Sequence, residues 1–239
     1  VNLDVIFSWS EVTPERVKGR IAVVIDVLRA TSVMVTALNN GALKVIPVLT
    51  PDEAFEYKKN NGKDILLVGE RHADIIEGFD FSNSPLDMSP ISVTNQTVVM
   101  TTTNGTKAIR AAEEAKELYI ASFLNARSTA QILAQQDDVV LIASGSNGSF
   151  TMEDTLCMGY ITNLLESELG NALGLTDAAL AARQLFINAQ QNLLALASQG
   201  KHYRLLKSKG LDDDIRYCFS LDSINLVCYR KNGEIVALK

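Results

Sequence analysis

Short apolar runs alternate with helical patterns along most of this chain. Val-, Ile- and Leu-rich runs at residues 3–7, 21–27, 43–48, 64–68, 97–100, 118–122 and 138–143 predict strands. Helical patterns at residues 32–39, 51–60, 107–116, 126–136 and 152–169 alternate with most of them. Uniformly apolar short strands alternating with helices predict an α/β fold whose largely parallel sheet is covered on both faces. Residues 175–199 continue as an alanine-rich helical stretch. The tail pairs 225–229 with 234–238 in a hairpin around Asn232-Gly233. Asn40-Gly41 and Asn61-Gly62 each close a helix, with glycine placed for the left-handed cap. Residues 71–95, rich in Ser, Asp, Asn and Pro, predict a long loop, and long loops in compact domains often carry function. No linker or repeat divides the chain, so residues 1–239 are read as one domain.

Composition narrows the class. With 239 residues, 47% hydrophobic and 21% charged, the chain has the make-up of a globular protein. A net charge of −6 argues against a nucleic-acid surface, so an anionic ligand would be held by a local cluster. Cys157, Cys218 and Cys228 form no CxxC pair and no metal-ligand spacing, which suits a reducing cytoplasm. No signal peptide opens the sequence and no apolar run spans a bilayer, so no membrane association is expected. The apolar stretch 175–197 offers a surface for a homodimer.

Four strand ends carry unusual chemistry, and in open parallel sheets ligands bind beyond the C-terminal strand ends. Residues 21–27 lead into Asp26, Arg29 and Thr31. Residues 64–68 lead into Gly69-Glu70-Arg71. Residues 97–100 lead into Thr101-Thr102-Thr103-Asn104-Gly105-Thr106, a polar turn ahead of a helix. Residues 138–143 lead into a Ser/Gly/Asn loop, Ser144 to Ser149, followed by Glu153-Asp154. Strand, glycine-containing polar turn and helix place outward-pointing N–H groups where an anion could sit. Carboxylates without His or Cys ligand pairs suit a hard cation such as Mg²⁺ rather than Zn²⁺. Arginines fork onto phosphate or sulfonate oxygens. A divalent ion, arginines and N–H donors together describe phosphoryl chemistry, in which positioning and charge neutralisation do most of the catalysis.

Each piece alone also fits a plainer role. Asp26 can cap the next helix, Glu70 and Arg71 can pair on the surface, and acids such as Glu153 and Asp154 are favourable in a first helical turn. His72 and His202 are isolated in sequence and read as structural or solvated. Known phosphatase signatures are absent. Leu28 stands where the haloacid dehalogenase pattern needs its second Asp. None of the cysteines has an Arg six positions on. Arg71-His72-Ala73 has Ala where histidine phosphatases have Gly.

Five motifs in register resemble those of the ComB family. They are Asp26-Val27-Leu28-Arg29-Ala30-Thr31-Ser32, Gly69-Glu70-Arg71, Gly78-Phe79-Asp80 with Asn83-Ser84-Pro85, Thr101 to Thr106, and Glu153-Asp154-Thr155. The resemblance covers nearly the whole chain. It implies a three-layer α/β/α sandwich and a Mg²⁺-dependent phosphatase converting 2-phosphosulfolactate to sulfolactate and phosphate, a step of coenzyme M biosynthesis. On that reading Asp26, Glu70 and Asp80 supply or orient Mg²⁺ ligands, with Glu153 and Asp154 as further candidates. Arg29 and Arg71 hold phosphate or sulfonate, with Asp26 and Glu70 beside them as catalytic residues. Thr102, Thr103, Asn104, Gly105 and Thr106 cradle one anionic group. Asn83 and Ser84 close the site, and Thr31 contributes to substrate binding. The nucleophile is either a metal-bound water or Asp26 acting covalently. Alternatives are a non-hydrolytic binder of organic phosphates or sulfonates, a phosphatase acting on another small phosphorylated acid, and a Mg²⁺-dependent lyase or isomerase.

Overall fold

A computed structural model describes residues 1–238. Eleven strands form one mixed sheet: β1 (Asn2–Ile6), β2 (Ile21–Ile25), β3 (Lys44–Pro47), β4 (Ile65–Arg71), β5 (Asp74–Ile75), β6 (Thr97–Thr101), β7 (Glu117–Ala121), β8 (Asp138–Ala143), β9 (Gly174–Leu175), β10 (Cys228–Lys231) and β11 (Glu234–Ala237). Their spatial order is β5-β4-β6-β3-β11-β10-β7-β2-β8-β1-β9. Two parallel blocks are visible in it. One is β4-β6-β3 and the other is β7-β2-β8-β1-β9. The β10–β11 hairpin joins them through antiparallel pairings on both sides. The tail hairpin is therefore a central element of the sheet, not a peripheral one. Its turn residues Asn232 and Gly233 have φ of 52° and 85°, the left-handed values that a tight two-residue turn needs.

Alternation within the strands explains the layers. In β2, Val23 and Ile25 enter one core and Ala22 and Val24 another; in β8, Leu141 joins the first and Val140 and Ile142 the second. The first core is capped by helices Ala126–Leu133, Met152–Leu169 and Asp177–Ala189. The second holds helix Ala30–Asn39, buried from Ala30 to Leu38, together with residues from both parallel blocks such as Val45, Val98 and Ile120. Helix Pro51–Asn61 covers the far side of β4 and β6, where Ala54 packs with Leu67 and Val99. The arrangement is a three-layer α/β/α sandwich in which residues of both parallel blocks share one core with the helix Ala30–Asn39. The turn after β6 meets the end of β2 there, with Gly105 against Asp26 and Ala30.

Element boundaries moved in informative places. The stretch 175–199 is not one helix: helix Asp177–Ala189 ends before Asn192, whose side chain accepts from Ala195 N–H and starts the separate helix Leu193–Ala197. Residues 71–95 are not a bare loop but contain β5, a 3-10 turn at Pro85–Asp87 and a short helix at Pro90–Val93. The helix after the threonine turn starts at Gly105 and ends at Ala111, five residues short of the predicted end at Lys116. No helix among the described residues is long and apolar enough to cross a membrane.

Candidate active site

β2 ends at a tightly bonded corner. Thr31 Oγ1 receives the Asp26 N–H at 2.9 Å and donates to the Asp26 carbonyl at 2.8 Å, so it clamps the backbone of Asp26 rather than facing the cleft. Asp26 Oδ1 accepts the N–H of Ala30 at 3.2 Å. Burial pushes the Asp26 carboxyl up to about 6, with the charge of His202 opposing the rise and that of Glu70 adding to it. Close packing holds the corner against β6. A Cβ on Gly105 would stand 2.7 Å from Asp26 Oδ2 and 2.5 Å from the Ala30 Cβ, so only glycine fits there.

The β4 and β6 ends form the next part. Gly69 lies against Thr101, where a Cβ would meet the Thr101 carbonyl at 2.3 Å. Beyond it, Glu70 spans two segments, accepting the Thr103 N–H at 2.8 Å on Oε1 and the Ala73 N–H at 2.9 Å on Oε2. The threonine turn is largely self-satisfied. Thr102 N–H donates to Thr106 Oγ1, Thr106 N–H to Thr102 Oγ1, and Thr103 N–H to Glu70. The N–H groups of Asn104 and Gly105 are not spent in this way. Asn104 Oδ1 receives the N–H of Asn147 at 2.9 Å, tying the turn to the loop after β8.

At the β8 end, Asp154 is fully engaged. It accepts the Val27 N–H on Oδ1, and the Gly145 N–H and the Ser144 and Thr151 hydroxyls on Oδ2. It fastens the β2 end to the β8 loop. Burial, with the nearby charges of Asp26 and Glu153, drives its carboxyl well above the ordinary range.

The C-terminal quarter supplies the opposite wall. Arg29, 2% exposed, forms a buried ion pair with Asp214 from the helix Asp212–Cys218. Asp214 Oδ1 also accepts from Ser84 Oγ at 2.6 Å. His202, in the first turn of helix Lys201–Ser208, places Nδ1 3.1 Å from Glu153 Oε1. Burial alone would lower this imidazole, but the bond to Glu153 and the charges of Glu153, Asp26 and Asp154 outweigh it and raise it.

One cleft gathers much of this set. Asp26, Arg29, Glu70, Asn83, Thr102, Thr103 and Asn104 line it, together with Leu28, His72, Ala73, Ser146, Asn147, His202, Leu205 and Leu206. Thr31, Ser84, Gly105 and Thr106 stand behind the lining and brace it. Four predicted site residues lie elsewhere. Asp154, expected near the metal, is spent on the bonds to Val27, Gly145, Ser144 and Thr151 and does not line the cleft. The Arg71 guanidinium donates to the Glu70 and Leu49 carbonyls and to Thr101 Oγ1, strapping strands together. Asp80 Oδ2 takes Lys58 and the Leu67 N–H at the outer face of β4. Glu153 faces a neighbouring chamber lined by Ser149, Phe150, Lys201 and His202. Sequence reading missed His202 and Asp214. Nothing local marks His202, and Asp214 is the third member of the acidic run Asp212-Asp213-Asp214.

Oxygen donors dominate the cleft. Asn83 Oδ1 and Thr103 Oγ1 are buried without a hydrogen-bond partner, which marks them as open for a ligand. Among the described residues no three His, Cys, Asp or Glu side chains converge as a preformed cage. A hard cation here would take carboxylate oxygen from Asp26 and Glu70 and complete its shell with neutral oxygens, water or substrate, the usual habit of Mg²⁺. The donor set fits that ion.

Comparison with known proteins agrees with the motifs. A family model described as 2-phosphosulpholactate phosphatase matches residues 6–233. A relative from Clostridium acetobutylicum, "Probable 2-phosphosulfolactate phosphatase", is 43% identical over 237 residues, covering 99% of this chain and 100% of that one. Relatives of the same name from Clostridium novyi and Clostridium beijerinckii are each 44% identical, covering 95% and 98% of this chain and 96% and 99% of their own. With the five motifs in register and the match running almost end to end, the chain belongs to the 2-phosphosulpholactate phosphatase family, the ComB family.

Proposed function

We propose that this protein is a Mg²⁺-dependent phosphomonoester hydrolase that converts 2-phosphosulfolactate to sulfolactate and phosphate, within coenzyme M biosynthesis. One observation carries the reading: Asp26 and Glu70, from different blocks of the sheet, line the same cleft as the buried Arg29. Two carboxylates facing a substrate that bears phosphate, carboxylate and sulfonate would repel it unless a cation stood between them. Asp26, Glu70, Asn83 Oδ1 and Thr103 Oγ1 would hold Mg²⁺, which supplies charge neutralisation and polarises the phosphoryl oxygens.

The chain's own residues do the rest. Asp214, itself bonded to Ser84, holds one nitrogen of the Arg29 guanidinium; its remaining N–H groups would bond phosphate oxygens. The N–H groups of Asn104 and Gly105, left free by the self-bonded turn, offer donors to an anionic group. Leu205 and Leu206 put apolar surface on one side of the cleft, where less water would strengthen the charge interactions.

Phosphate release from 2-phosphosulfolactate tests this, with the protein stripped by EDTA and then restored with Mg²⁺. Release that depends on the added ion is expected. Binding of the ester without release would overturn hydrolysis. Release from other phosphorylated acids but not from this one would overturn the substrate.

A further inference from the structure

His202 stands in the cleft without a role in the reaction as assembled so far. Nδ1 is committed to Glu153 at 3.1 Å, so Nε2 is the nitrogen available to the cleft that His202 lines with Asp26. Glu153 is itself 1% exposed, and its other oxygen, Oε2, has no partner. A buried carboxylate whose only partner is an imidazole is best satisfied when that imidazole carries a proton on Nδ1. The groups facing His202 are mostly acids: Glu153 and Asp154 from the helix Met152–Leu169, and Asp26 from the β2 end. Glu70, His72 and Arg29 line the same cleft.

We propose that His202 is the general acid of the reaction, giving its Nε2 proton to the bridging ester oxygen, with Glu153 as the positioning residue that holds Nδ1–H. The inference rests on the phosphatase reading above. As the P–O bond to the leaving group breaks, its electron pair goes to the ester oxygen, which takes the proton and departs as the alcohol. The ring remains neutral with its proton on Nδ1. The phosphoryl group ends on water, and the proton that water releases restores the imidazolium. One ester and one water enter; one alcohol and one hydrogen phosphate leave. An alkyl ester such as 2-phosphosulfolactate needs this proton because its alkoxide is a poor leaving group.

The test uses the full chain with Mg²⁺ and two esters, 2-phosphosulfolactate and 4-nitrophenyl phosphate. His202→Gln is expected to lower kcat on the alkyl ester by roughly 10²–10⁴-fold, the usual worth of a general acid. The nitrophenyl ester, whose leaving group needs no proton, should change by less than about tenfold if the same range applies only to proton transfer. In wild type, kcat/KM should fall as pH rises through the imidazole pKa, and Glu153→Gln should move that fall to lower pH. Equal losses on both esters, or an unmoved profile in Glu153→Gln, would overturn the assignment. A second readout needs neither turnover nor the His202 variant. NMR titration of the His202 ring should give a pKa above the ordinary 6.5 that drops in Glu153→Gln. A ring titrating alike with and without Glu153 overturns the dyad. A wild type that releases phosphate from neither ester would sink the phosphatase reading instead, which keeps the two failures apart.

Discussion

The two walls of the cleft are built in opposite ways. The wall of Asp26, Glu70 and the threonine turn is held by hydrogen bonds at neighbouring strand ends, many of them to backbone N–H groups. The facing wall depends on side chains meeting across long stretches of sequence: Arg29 with Asp214, Ser84 with Asp214, His202 with Glu153. The first wall is part of the sheet and can change only at the cost of strand geometry. The second is fastened by a few charged contacts, so single substitutions can disarm it while the sheet persists. The first wall's carboxylates accept from backbone N–H groups, whereas on the second wall each carboxylate meets a basic side chain, Asp214 with Arg29 and Glu153 with His202.

Removing the charge from the first wall should have the largest effect. Asp26→Asn is expected to lower turnover by on the order of 10²–10³-fold or more, as phosphate release would read. It should also stabilise the metal-free protein. The Asp26 carboxyl is held at about 6 against 3.8 in the unfolded chain. The advantage of its neutral form is full below 3.8 and lost as pH rises through about 6, so ionisation costs about 3 kcal/mol above that window. Urea unfolding at pH 8 should show the variant more stable by up to that amount, and no gain should appear near pH 3. An equal gain at both pH values would show that Asp26 is not a strained ion.

On the second wall, Asp214→Asn leaves the buried Arg29 guanidinium without its countercharge. Stability should fall by about 3–5 kcal/mol, the usual cost of breaking a buried pair from one side. A loss under 1 kcal/mol would mean that Arg29 reaches solvent.

Smaller effects distinguish fit from charge. Gly105→Ala forces a Cβ against Asp26 Oδ2 and should cost about 1–3 kcal/mol by overpacking, together with activity. Arg71→Lys should be mildest. It exchanges a guanidinium that straps Leu49, Glu70 and Thr101 for a single ammonium, at about 1 kcal/mol for each lost bond, and kcat should change only a few-fold. A collapse of kcat in Arg71→Lys with stability unchanged would place Arg71 in the chemistry and reverse its contrast with Arg29.

The asymmetry between the walls also governs how much the sequence discloses. Strand–turn–helix patterns around Asp26, Glu70 and Thr102 are contiguous, so their chemistry is written next to the structural signal that positions it. His202 sits in an ordinary amphipathic helix and acquires meaning only when Glu153, 49 residues away, packs against it. Arg29 and Arg71 look alike in sequence, each one step past a strand-end acid or near it. Long-range partners separate them: Arg29 meets Asp214 and lines the cleft, whereas Arg71 bonds the Glu70 and Leu49 carbonyls and Thr101 Oγ1. The C-terminal hairpin was readable from Asn232-Gly233, but its place between two parallel blocks was not, because sheet order follows from which faces remain to be buried.

The most direct measurement is a crystal structure of the full chain with Mg²⁺ and inorganic phosphate, the expected product. The account predicts phosphate in the cleft against Arg29 and the Asn104-Gly105 N–H groups, with the ion on oxygens of Asp26 and Glu70. Phosphate seated instead in the groove by Arg110 and Arg230, with the cleft of Asp26 holding neither ion, would contradict it.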